Sequence, residues 1–330
     1  MNERRRAMLK MMLRLGVSAL LIGFILSRTD LASVGAALGG VSPGLLSAAF
    51  ASYFVGYLFS VARWRTLLAA HAVPPSFGYL YGSFMVGMFF NQLLPTTVGG
   101  DIARYHYTAA GGRGAALSAV VLDRVFGGVS LLIFAGVGLI IVGPDAPLPA
   151  AFVATLAVTL VVGLLVITAA FMLRQSWLDR LTCWAQRCPA RVHAIFERLL
   201  AAFAAFRGRY DVVLAALLWS GLLQCVVIVH YYIVGLALGL TIPWQAYVLI
   251  VPLALAITML PISINGVGVR EGAFAYLLGL YGVELPVSIA FAFVIYALML
   301  GQGLLGGLVF ALLRVRPHTA ASLARSPHVR

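Results

Sequence analysis

Apolar residues fill this chain in long uninterrupted stretches. Read in windows of about 19 residues, against the roughly 20 needed to cross a hydrocarbon core, they mark spans at 11–27, 43–62, 115–142, 148–173, 211–238 and 286–313. Two further apolar segments, 77–94 and 244–260, run into Pro and Gly rather than into a polar loop. Polar positions are confined to short connections, with one exception from about Arg174 to Tyr210. There Leu178, Leu181, Trp184, Ile195, Leu199 and Phe203 alternate with arginines, as in helical pieces lying on a membrane surface. The predicted class is all-α: a polytopic integral membrane protein with about six spanning helices and two re-entrant hairpins, or eight spans if the hairpins cross.

Loop charges orient these spans. The connection Gly143 to Pro149 carries an acid and no base, whereas Arg174, Arg180, Arg187, Arg191, Arg198, Arg207 and Arg209 crowd the next one. Lys and Arg accumulate in loops that stay cytoplasmic, which places the first loop outside and the second inside. Both termini, the Arg63/Arg65 turn and Arg104/Arg113 then also fall inside, with Arg28, Arg124 and Arg270 as the exceptions. Segment 77–113 must therefore enter and leave from inside, and 244–285 from outside. The two resemble each other: Leu94, Pro95, Gly100 and Arg104 recur as Leu260, Pro261, Gly266 and Arg270, half the chain apart, with Val98 opposite Ile264. Residues 1–330 thus read as one membrane domain. Its repeat halves are 1–142 and 148–313, related by inversion, the second carrying the amphipathic insertion 174–210 and followed by a cytoplasmic tail, 314–330.

Composition agrees, with 62% hydrophobic and 10% charged residues and a mean hydropathy of +1.01. That excludes a water-facing globule and leaves no stretch able to form a soluble catalytic domain. The net charge of +13 is dispersed among apolar spans without interleaved exposed aromatics, so no nucleic-acid partner is expected. Anionic lipid headgroups are the partner this charge suits. Cys183, Cys188 and Cys225 have neither disulfide-framework nor zinc spacing and read as reduced. Arg4, Arg5, Arg6 and Lys10 precede the first apolar run, and with no small-residue cleavage site following, a retained first helix is expected.

Candidate chemistry concentrates in the hairpins. Asn91 to Arg104 is a turn rich in Pro, Gly and hydroxyls set inside apolar sequence, and irregular backbone at membrane depth is tolerated where it is buried in protein or faces a wet cavity. Asn91, Gly99 and Gly100 would bring backbone close to a ligand. A half-helix beginning near Gly100 would aim Arg104 at an anion such as phosphate, with Asp101 holding or releasing the arginine. A simple Asp101–Arg104 pair at a helix start is the alternative. Asn265, Gly266, Gly268, Arg270 and Glu271 repeat these ingredients from the other side, with Glu271 the expected neighbour of Arg270. Asp123 and Arg124 lie deep in the span 115–142, where an unpaired charge is costly; they complete an anion site or clamp a hairpin. Arg63-Trp64-Arg65, closing a span, has the look of an interfacial anchor. His230, Gln224 and Gln302 are further polar residues within spans, His230 reading as a packing residue.

At these residues the sequence resembles the lysylphosphatidylglycerol synthetase transmembrane-region family, a flippase-like domain found alone or fused to an aminoacyl-lipid synthase. The resemblance rests on Arg63-Trp64-Arg65, Asn91 to Arg104, Asp123-Arg124 and Pro261 to Gly272, and extends over most of the chain. It implies the movement of anionic or modified lipids, such as phospholipids or polyprenyl-linked carriers, between leaflets of the cell inner membrane, with a lipid-modifying enzyme as a partner. The synthase is a separate soluble domain in fused relatives; only a short tail follows Arg314 here, so synthase activity is not expected.

The function expected is therefore a lipid translocase working by alternating access, with no cofactor and no catalytic residue. No Gly-Lys-Ser/Thr phosphate loop is present to hydrolyse ATP. The competing readings are an intramembrane transferase on lipid-linked substrates, which would need a general base or metal ligands, a carrier of water-soluble anions, and a non-transporting scaffold of a lipid-synthesis complex.

Overall fold

The computed structural model describes residues 3–70, 74–94, 99–143, 147–172, 208–259, 262–263 and 265–313. The insertion 174–210 lies almost wholly outside them, as do Cys183, Cys188, the tail 314–330, and the hairpin positions Pro95, Val98, Leu260, Pro261 and Ile264. Among the described residues every regular element is helical: α1 (Glu3–Ser27), α2 (Leu31–Gly39), α3 (Pro43–Ala69), α4 (Phe77–Leu93), α5 (Gly99–Thr108), α6 (Arg113–Val142), α7 (Ala150–Met172), α8 (Tyr210–Ala237), α9 (Trp244–Thr258), α10 (Val269–Gly279) and α11 (Leu285–Leu313). Four of them, α3, α6, α8 and α11, are long and apolar enough to cross a membrane. The pair α1 and α2, bent by 84° at Arg28 to Asp30, adds a fifth if taken as one span. Helix α7 lies over the remaining expected span.

Helices α4 and α9, with 17 and 15 residues, are about 25 Å long or less at 1.5 Å per residue, short of a 30 Å core. Each is followed by a half-helix that doubles back. Tyr79 lies beside Tyr107 and donates its hydroxyl to the Tyr107 carbonyl, while Asn91 at the other end of α4 accepts from the Gly100 amide, so α4 and α5 run antiparallel. In the second hairpin, Leu238 to Pro243 before α9 and Tyr281 to Val287 after α10 line one cleft, so its two ends return to the same place.

Helix α8 fixes the relative sense of the hairpins. Its first turn, at Asp211 and Val212, lines a cleft with Phe77 at the base of the first hairpin, and its last turn leads into the base of the second. With 28 residues between these ends, α8 is about 42 Å long, so the hairpins enter from opposite ends of the molecule. Their tips meet: the Asn265 side-chain amide donates to the Asn91 and Leu94 carbonyls at 3.1 and 3.2 Å.

The packing has a two-fold pattern. Helix α3 packs along α8, α4 against α11, and α9 against α6. Mapping α3–α6 onto α8–α11 exchanges the last two pairs and leaves the first unchanged. Both exchanged crossings bring backbone against backbone at a glycine. A Cβ on Gly138 of α6 would lie 2.6 Å from the Leu249 Cα of α9, and one on Gly306 of α11 would run into the Met85 carbonyl of α4. The largest buried cluster gathers α8, α9, α10 and α11 around Tyr231, Tyr247, Phe274 and Phe291. A second gathers α3, α4 and α6 around Trp64, Leu80 and Phe126.

Candidate functional site

The polar centre is built where α3, α5 and α6 converge on Asp123. That residue is 4% exposed and divides its carboxylate between two arginines: Oδ1 accepts from Arg63 Nε at 2.6 Å and Oδ2 from Arg104 Nη1 at 2.8 Å. Arg63 Nη1 also donates to the Ser220 hydroxyl of α8 at 2.9 Å, and the guanidinium lies beside Gly127, one turn past Asp123. Arg104 is flanked by aromatic faces, 4.4 Å from the Trp64 ring centroid and 5.3 Å from that of Phe84. These are cation–π distances, and they hold the guanidinium in place without neutralising it.

Asp101 and Arg124 form a second bridge between α5 and α6, less enclosed than the first, the Arg124 side chain being 44% exposed. Asp101 is 3.9 Å from Arg104, so the local pair is the weakest of the contacts. The charges of the hairpin thus pair crosswise with those of α6, Asp101 with Arg124 and Arg104 with Asp123. This outcome is the clamp, with the one carboxylate of Asp123 shared between two guanidiniums, those of Arg63 and Arg104. Arg104 Nε and Nη2, both buried, have no hydrogen-bond partner among the described residues, and neither has Trp64 Nε1.

Arg63 departs from the sequence expectation. It is buried at 6% exposure rather than anchoring an interface, and Trp64 beside it is fully enclosed. The helix continues to Ala69, so both sit more than a turn inside it, while Arg65, two residues and about 200° further round, is exposed. The glycines also differ. A Cβ on Gly99 would meet the Phe90 carbonyl at 2.6 Å, and one on Gly100 the Gly87 carbonyl at 2.6 Å. Both therefore serve the close approach of α4 and α5, and the Gly100 amide is already taken by Asn91 Oδ1 at 2.7 Å.

On the second hairpin Arg270 is 7% exposed, and no carboxylate pairs with it among the described residues. Its Nη2 donates to the Asn265 carbonyl at 3.2 Å, its guanidinium stands 5.9 Å from the Tyr296 ring, and Nη1 has no partner among the described residues. Glu271 does not pair with it. That carboxylate, also buried, turns to the start of its own helix, where Oε2 accepts from the Gly268 amide at 2.6 Å. Gly268, at φ +84°, packs against Leu21 of α1, and Gly266, at φ +75°, against Thr258. Arg270 therefore joins the first hairpin through Asn265 and not through the Asp123 cluster.

The remaining polar residues lie between these two centres. Tyr57 of α3, in edge contact with Phe84, donates to Gln302 of α11 at 3.2 Å. His230 of α8 is fully buried against Tyr53, its Nδ1 2.9 Å from the Ala49 carbonyl. Gln224 Nε2, His230 Nε2 and Gln302 Nε2 have no partner among the described residues.

No curated protein matches this chain. The family model of the Lysylphosphatidylglycerol synthase TM region matches residues 11–307, a range that takes in both hairpins, Arg63 and Asp123, and the chain belongs to that family of membrane proteins.

Proposed function

We propose that the chain is a lipid translocase, a carrier and not an enzyme, which moves phosphate-bearing headgroups between leaflets of the cytoplasmic membrane. The observation that carries this reading is the pair of buried, incompletely bonded arginines, one on each of two opposed hairpins whose tips touch. Burying a cation without a full set of partners is costly, so such residues occur in membrane interiors where a ligand or water completes them. A phosphate group does so for Arg104 and Arg270, accepting from Arg104 Nε and Nη2 and from Arg270 Nη1, which have no partner among the described residues. The head crosses at the meeting of the hairpins while the acyl chains stay in the bilayer. The inside bias of the arginines supports a topology with both termini in the cytoplasm.

The test is leaflet exchange of fluorescent phospholipids in proteoliposomes, comparing wild type with the Arg104→Ala/Arg270→Ala protein. Protein-dependent exchange should fall at least tenfold in the double variant. Undiminished exchange by a folded double variant, or no exchange of any phospholipid by folded wild type, would overturn the proposal.

A further inference from the structure

Helix α3 packs along α8, and where α3 ends and α8 begins the two hold open a cleft of about 490 Å³. Its rim carries Arg65 of α3 and, at the start of α8, Arg209 and Asp211. Asp211 answers Arg209, accepting from its Nε and Nη2 at 3.2 and 3.3 Å, whereas the exposed Arg65 has no hydrogen bond or ion pair among the described residues. Away from the rim the lining turns apolar. The small side chains of Ala62 and Ala215 face the gap, and Trp219, stacked on Phe59 with centroids 6.1 Å apart, closes it. Asp211, Ala215 and Trp219 recur every four residues on one face of α8, which puts Trp219 about 12 Å along the helix from the charged rim.

These depths are those of a lipid. With 27 residues α3 is about 40 Å long, so when centred it overshoots a 30 Å hydrocarbon core by about 5 Å at each end. Arg65 stands four residues, about 6 Å, before the end at Ala69, a position from which its guanidinium reaches the headgroups, while Trp219 lies among the chains. We propose that the cleft is a resident phospholipid site, separate from the hairpin arginines: the lipid phosphate pairs with Arg65, and an acyl chain runs down the seam past Ala62 and Ala215 to the Trp219–Phe59 stack. A free phosphate would use the rim alone; the apolar continuation of the cleft is what fits a lipid. The bound lipid touches both α3 and α8 and braces the seam at which Arg63 meets Ser220. It does so whether or not the chain moves lipids.

The experiment is titration of the whole chain in detergent with phosphatidylglycerol, read by native mass spectrometry and by the rise in melting temperature. It is run on wild type and on Arg104→Ala/Arg270→Ala, in which the hairpin arginines are gone. Both proteins should retain one tightly held lipid. Arg65→Gln, at an exposed position, should weaken that binding about fivefold, the worth of one arginine to an anionic lipid at an interface, and should abolish most of the thermal gain. Trp219→Leu should weaken it as well, whereas Arg113→Gln, an exposed arginine that does not line the cleft, should leave it within twofold. Diacylglycerol, with the tails and no phosphate, should not compete, and neither should glycerol 3-phosphate, with the phosphate and no tails. Unchanged binding in Arg65→Gln, or an equal loss in Arg113→Gln, overturns the site. A retained lipid that is lost in Arg104→Ala/Arg270→Ala and kept in Arg65→Gln belongs to the hairpins and overturns it too. Competition by glycerol 3-phosphate at equal concentration assigns the cleft to a soluble anion, and equal competition by diacylglycerol removes the phosphate contact; either overturns the proposal.

Discussion

Replacing Asp123 by Asn isolates the charge at the polar centre from its hydrogen bonds. Asparagine keeps the shape and one acceptor oxygen, so the bond from Arg63 Nε survives while the ionic partner of both Arg63 and Arg104 is lost. Two estimates of the consequence differ enough to be told apart. Side-chain hydrogen bonds inside membrane proteins average about 0.6 kcal/mol, and only the one from Arg104 is lost. Leaving buried charge without its partner costs about 3–5 kcal/mol, and here two guanidiniums, both under a tenth exposed, are left. The second effect wins, and Asp123→Asn should lose about 3–5 kcal/mol in reversible unfolding by SDS in mixed micelles. The double variant Arg63→Met/Asp123→Asn should recover part of that loss, because a single cation is then unpaired, with a coupling of about 1–3 kcal/mol. A loss below about 1 kcal/mol for the single variant would match that one bond alone, and with no coupling in the double it would refute the claim that Asp123 is the ionic partner of both buried arginines.

Arg124→Ala should cost about 1 kcal/mol or less in the same unfolding assay, since its bridge to Asp101 is half open to the surroundings. Gly138→Leu and Gly306→Leu should each lower stability by about 1–3 kcal/mol or abolish accumulation, by forcing helix backbones apart, whereas Gly272→Ala, with open space at its Cβ, should be silent in thermal melts. Asn265→Gly keeps the left-handed backbone at φ 50° and removes both bonds to the first hairpin; hydrogen exchange of the hairpin tips should rise while that of the α6–α9 crossing stays unchanged.

The hairpins were legible because two apolar segments ran into Pro and Gly rather than into a polar loop, with arginines on the side that a crossing would forbid. Asp123 and Arg124 were legible as charges deep in a span, and Asp101 and Arg104 as charges in a Gly-rich turn set inside apolar sequence. Their partners were not. Spacing favours Asp101 with Arg104, three residues apart on one helix, but the Arg104 stem runs between Trp64 and Phe84 and delivers the guanidinium to α6, a contact no local pattern encodes. Arg63 was masked by the familiar appearance of Arg-Trp-Arg at the end of an apolar run. Its signal lay in the following residues, where Trp64, Leu67 and Leu68 continue the buried stripe of Tyr57 and Val61 at helical spacing. The glycines invited a ligand-binding interpretation because packing against another helix leaves the same mark in a sequence as approach to a phosphate.

The glycine crossings also constrain how such a molecule moves. Each hairpin's first arm is fastened, backbone to backbone, to the long helix of the opposite half, α4 to α11 and α9 to α6, so the halves are clasped like folded hands. They cannot open by swinging apart as two lobes without tearing both clasps. Any shift of one clasped pair past the other has to part the Asn265 bonds and also the Arg104–Asp123 and Asp101–Arg124 bridges that tie the first hairpin to α6.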